Sequence, residues 1–152
     1  MSTPTPIDPA LLQVALARLK TFFETLDATS VGRLREVYAM DAFFKDPFSE
    51  VRGLAQIERI FTHMFVQVKE PRFIVHEMVA QGGQAFITWD FVFEMHRFSR
   101  GKQVVRGASH LHFNANGQVS YHRDYWDVAE ELYEKLPVLG GLMRWLKRRA
   151  AH

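Results

Sequence analysis

Cysteine is absent from this 152-residue chain, so disulfides and thiolate chemistry are excluded. A zinc site would have to be built from histidine and carboxylates alone. No run approaches the roughly 18 consecutive apolar residues of a membrane span. The N-terminal MSTPTPIDPA lacks the basic segment followed by an apolar run that marks a secretion signal. A cytoplasmic protein with a short, frayed leader over residues 1–8 is therefore expected. Charge of one sign is also scarce: the formal net charge is +2, too little to argue for nucleic-acid binding. The excess is local, in the terminal MRWLKRRAAH. A glycine-rich phosphate loop is missing, so no cofactor is implied, and there is no repeat, linker or low-complexity segment.

What the chain does have is a change of period. At 17.7 kDa it is one domain of ordinary size, large enough to bury a core without staples. Leu11, Val14, Ala15, Leu19, Phe22, Phe23 and Leu26 recur every three or four residues, which predicts a helix from Pro9 to Asp27. Ser30 is the candidate N-cap of a second, short helix over Val31 to Met40. Phe43 to Asp46 reads as a short strand stopped by Pro47. Leu54, Ile57, Ile60, Phe61, Met64 and Phe65 give a third helix, ended near Pro71. From there β-branched and aromatic residues predict two hairpins. The first runs Arg72 to Gln81 and Gln84 to Arg97 around Gly82 and Gly83. The second runs Lys102 to Phe113 and Val119 to Trp126 around Asn114 to Gly117. Helices first and antiparallel strands after is an α+β order.

The stretches FFKDPFSEVRGLAQIERIF and ASHLHFNANGQVSYHRDYWD, in that order of elements, resemble the nuclear transport factor 2-like superfamily. That group includes ketosteroid isomerase, SnoaL-like polyketide cyclases and limonene epoxide hydrolase. The resemblance implies a cone-shaped roll: three N-terminal helices packed in a strongly curved mixed or antiparallel sheet, around a deep, mostly apolar pocket. It implies a single domain over residues 9–127, with 128–152 as an amphipathic helical extension of it, and a homodimer. Fold alone does not decide function here, because enzymes, binders and trafficking factors share it.

The segment KDPFSEVRG resembles the isomerase segment in which the aspartate before proline is the general base, which points to Asp46. Desolvation at the wall of an apolar pocket would raise its proton affinity and suit it to moving a proton near neutral pH. A strand-end aspartate closing a turn with its neighbours is the competing reading. The isomerase's tyrosine and protonated aspartic acid fall at Phe22 and Ser109, so both of its acidic hydrogen-bond donors are gone. In SYHRDYWD, alternation places His122, Asp124 and Trp126 on one strand face. The RDY setting resembles that of a catalytic aspartate in limonene epoxide hydrolase, which implies that Asp124 faces the pocket. The hydrolase's water-holding and bridging positions fall at Phe44, Asp46, Trp89 and Phe91. The expected catalytic set is Asp46, Asp124 and His122. The expected pocket lining is Phe22, Tyr38 (from the second helix), Phe44, Trp89, Phe91, Phe93, Ser109 and Trp126.

His110 and His112 share a strand face opposite to Ser109, and no third ligand accompanies them, so no metal is expected. Asp90 should point outward with them, and His63, His76 and His96 are surface or core residues. The tail pairs Leu136, Val138, Leu139, Leu142, Met143, Trp145 and Leu146 with Arg144, Lys147, Arg148 and Arg149. Such a basic amphipathic helix can lie on an anionic membrane or pack against protein, and packing is the preferred reading. Two functions stand open. One is a cofactor-independent acid/base enzyme, of isomerase, cyclase or hydrolase type, acting on a small hydrophobic molecule. The other is a non-catalytic module that binds an apolar ligand or a protein partner.

Overall fold

The computed structural model describes residues 6–95, 101–131 and 139–151. The expectations for residues 1–5, His96, Arg97, Leu136 and Val138 lie outside them. Helix α1 spans Pro9–Glu24. Asp8 starts it by accepting the backbone N–H groups of Ala10 and Leu11 through Oδ1, with Pro9 in the first turn, where its missing N–H is not needed. The helix ends at Glu24, three residues before the expected Asp27. Asp27 instead accepts the N–H groups of Thr29 and Ser30 and shapes the following turn. Ser30 makes no side-chain cap.

The second helix is shorter than expected: a single 3-10 stretch over Val31–Glu36. Val37 and Tyr38 leave it because the Val37 carbonyl accepts the N–H of Val119. Strand β1 therefore begins at Tyr38 and runs to Lys45. Tyr38 reaches the interior from a strand, not from a helix. β2 covers Glu50–Arg52 and α2 covers Leu54–Gln67. Pro71 does not end that helix. It lies inside β3, Val68–Gln81, at a break in register between Lys69 and Arg72 where Glu70 has φ 47°. A strand tolerates proline at a bulge or on an edge, and β3 has both. β4 (Gln84–Met95), β5 (Gln103–Phe113) and β6 (Val119–Tyr125) complete the two expected hairpins. Short α3 (Val128–Glu131) and α4 (Leu139–Ala150) follow. Gly140 and Gly141 fall within the first turn of α4.

The six strands form one mixed sheet in the order β2-β1-β6-β5-β4-β3, with β1 parallel to β6 and every other pair antiparallel. α2 packs against both β1 and β3, which three strands separate. In a flat sheet those strands would lie about 19 Å apart at the usual spacing, far wider than one helix. The sheet therefore curls around α2, and this is the origin of the cone. α1 lies along β3, and the buried face of α1, with Leu12, Leu16, Leu19, Phe22 and Phe23, fills the remaining width. The fold is α+β with a mixed six-stranded sheet. Among the described residues, no helix is long and apolar enough to cross a membrane.

Candidate active site

Alternation on β4, β5 and β6 sends Trp89, Ser109 and His122 into the cone, and all three are buried. They form one hydrogen-bonded chain. Tyr38 Oη lies 2.5 Å from His122 Nδ1, and His122 Nε2 lies 2.5 Å from Asp124 Oδ1. Ser109 Oγ donates to the same Oδ1 at 2.5 Å and accepts from Trp89 Nε1 at 2.9 Å. A consistent proton assignment follows. Indole N–H can only donate, so the Ser109 hydroxyl proton goes to Asp124. The buried Tyr38 phenol is pushed well above its ordinary value of 10.0, by desolvation first and then by the charge of Asp124. It keeps its proton and donates it to Nδ1, which leaves the His122 proton on Nε2, directed at the carboxylate.

Both donors converge on Oδ1. Asp124 Oδ2 has no hydrogen-bond partner among the described residues, and the Asp124 side chain is 18 % exposed. Asp124, His122 and Ser109 are the polar wall of a cavity whose apolar walls are Phe23, Phe61, Phe73, Val75, Ile87 and Trp89. Its volume is about 30 Å³, room for about one or two waters. The pocket is thus far tighter than the deep cone expected from sequence, because rings fill it. Phe23 meets Phe61 at 5.8 Å and Phe73 at 5.6 Å, and Phe73 meets Trp89 edge-on at 6.0 Å. The indole holds its place because Gly107 lies beneath it: a Cβ there would stand 2.4 Å from Trp89 Cη2.

Asp46 occupies a different position. Its Oδ1 accepts the N–H groups of Phe48 and Ser49 at 2.8 and 2.6 Å, and its own N–H donates to the Ser49 carbonyl. This is the turn that Pro47 begins, and Asp46 is not one of the cavity-lining residues. The carboxyl is nevertheless raised from its ordinary value, chiefly by burial. Its two N–H donors oppose the rise, the Asp124 charge adds to it, and His122 opposes it. Asp46 is therefore electrostatically coupled to the Asp124–His122 pair from outside the cavity.

The remaining expected residues divide. Phe44 is buried and packs on His122 at 4.9 Å, behind the cavity. Phe22 is a core residue, and its neighbour Phe23 lines the cavity in its place. Phe91 stacks between Phe73 and Phe93 at 4.7 and 5.1 Å, further along β4. Phe93 borders a separate open cleft of about 310 Å³ beside Glu70, Arg72 and Glu94. Trp126 lies edge-on to Phe48 at 5.6 Å, over the Asp46 turn and away from the cavity. Phe61, Phe73, Val75 and Ile87 were not expected in the lining. The helical period of Phe61 and the alternation of Phe73 with Val75 were the available signals, but neither says which part of an apolar face meets a void. On the opposite sheet face, Asp90 pairs with His76 at 3.0 Å, and His110 stacks on Phe86 at 4.4 Å. Among the described residues, no group of three or more histidines and carboxylates is placed to hold a metal.

The family model described as SnoaL-like domain matches residues 19–122. An LEH-like epoxide hydrolase from M. tuberculosis superposes with a TM-score of 0.64 at 15% identity, over 93% of this chain and 96% of that one. A hypothetical protein with a ketosteroid isomerase-like fold from Catenulispora acidiphila, in complex with trimethylamine, gives 0.65 at 13% identity, over 78% and 88%. An NTF2-like protein of unknown function from Burkholderia pseudomallei gives 0.67 at 14% identity, over 79% and 93%. At such identities the likeness speaks for the fold. No curated protein matches the sequence significantly.

Proposed function

Since the chain belongs to the SnoaL-like domain family, we propose that it is an acid/base enzyme acting, without a cofactor, on a small hydrophobic molecule. One observation carries this reading: a carboxylate with one oxygen held by two donors and the other without a partner, in the wall of an apolar cavity. Asp124 is the proton-handling group. His122 Nε2–H and Ser109 Oγ–H fix its Oδ1 and so aim Oδ2, which takes a proton from a carbon acid or from an attacking water and later returns it. Tyr38 keeps His122 in the donating tautomer. Asp46 acts from the rim through its charge. A guest larger than one or two waters requires the aromatic walls to move.

A second reading, a non-catalytic module for an apolar ligand or a second copy of the chain, is favoured by the crowding of the cavity. Apolar epoxides, β,γ-enones and β-keto esters form the test panel. Product formation that falls about 10²–10⁴-fold in Asp124→Asn, with KM little changed, is the expected result. Ligands that bind wild type and Asp124→Asn alike, with turnover by neither, would establish the second reading instead.

A further inference from the structure

We propose that α4 is a docking element for an anionic phospholipid surface. Leu142, Trp145 and Leu146, spaced at i, i+3 and i+4 and so on one side of the helix, are 52%, 45% and 45% exposed. Among the described residues α4 makes no extensive packing contact with another strand or helix, so in the single chain these three side chains stay exposed. The same helix carries Arg144, Lys147, Arg148 and Arg149 and no acid. Those four cations exceed the whole chain's formal +2, so the rest of the molecule is net acidic. An anionic surface is therefore attracted by α4 and repelled by the body, which fixes the orientation.

The anchorage is built in. Lys147 pairs with Glu130 at 3.7 Å, and Arg106 of β5 reaches Glu130 at 3.9 Å and the buried Glu131 at 3.1 Å. The Arg149 guanidinium lies 4.9 Å over the Trp145 ring, which places a cation beside an indole as at a headgroup boundary. Twelve residues make a helix about 18 Å long, suited to lying in the surface plane. A second copy is the weaker occupant, because it would bring two sets of like charges together. With three apolar side chains inserted, binding is weak, reversible and salt-sensitive.

The test is co-sedimentation of the full chain with phosphatidylcholine vesicles, with and without phosphatidylserine. Binding only to the anionic vesicles, and release by raised salt, are expected. Arg148→Gln and Arg149→Gln should each weaken it about fivefold, and Leu142→Ser with Trp145→Ser should abolish it, while circular dichroism of all variants stays unchanged. Failure to bind anionic vesicles, equal binding to neutral ones, or indifference to the arginine substitutions would overturn the proposal. So would a dimer in sedimentation velocity that Leu142→Ser with Trp145→Ser dissociates.

Discussion

Gly107 marks how closely single residues determine this interior, since the Trp89 indole occupies the space that any side chain there would need. Gly107→Ala is expected to displace the ring, break its bond to Ser109 and destabilise the fold by about 1–3 kcal/mol, measurable by urea denaturation with tryptophan fluorescence. Tyr38→Phe leaves His122 Nδ1 buried without its donor, a loss of about 1–3 kcal/mol. The phenol's contribution is complete below its unfolded value of 10.0 and lost as pH rises toward the higher folded one, so the variant should also lose part of the alkaline decline in stability. Asp46 has the same sign in the acid range. Its folded carboxyl is raised, so its favourable contribution is full below the unfolded carboxylate pKa and is lost as pH rises through the folded one. Asp46→Asn keeps an acceptor for Phe48 and Ser49, and should be more stable than wild type at neutral pH with no gain in acid, as read from denaturation at both pH values. Of the two readings of Asp46 open from sequence, the geometry shows the turn, with the carboxylate outside the cavity. It closes a turn, and it is coupled to Asp124 and His122. Propensity made the turn legible, whereas the coupling needed the parallel pairing of Phe44 with His122.

At the scale of elements, the hairpins were legible because their turns announce themselves: Gly82 and Gly83 both adopt positive φ, 61° and 85°. The errors fall where tertiary pairing overrides local preference. Val37 and Tyr38 fit a helix face by spacing, yet β6 recruits them. Pro71 locally signals a helix stop, yet an edge strand absorbs it at a bulge. Glu70 at φ 47° bears the strain of that bulge. Glu70→Gly should therefore stabilise β3 by up to about 1 kcal/mol, the left-handed penalty relieved less the entropy glycine adds. Thermal melting would register it.

For the whole molecule, the cone follows from one helix touching two strands that three others separate. That closure was accessible only through the family resemblance, since no local pattern encodes which distant strands share a helix. The cavity's size was not legible at all, because volume depends on how the rings of Phe23, Phe61, Phe73 and Trp89 interlock. Positions 89 and 107 face each other across paired strands, and the indole at one fills the place of a β-carbon at the other. They therefore behave as a single dial. A smaller ring at 89 frees space for a side chain at 107, and any surplus volume opens beside Asp124. A chain of this architecture can thus be retuned for guests of different girth by altering that pair, with the loss of the indole's bond to Ser109 at one end of the proton chain.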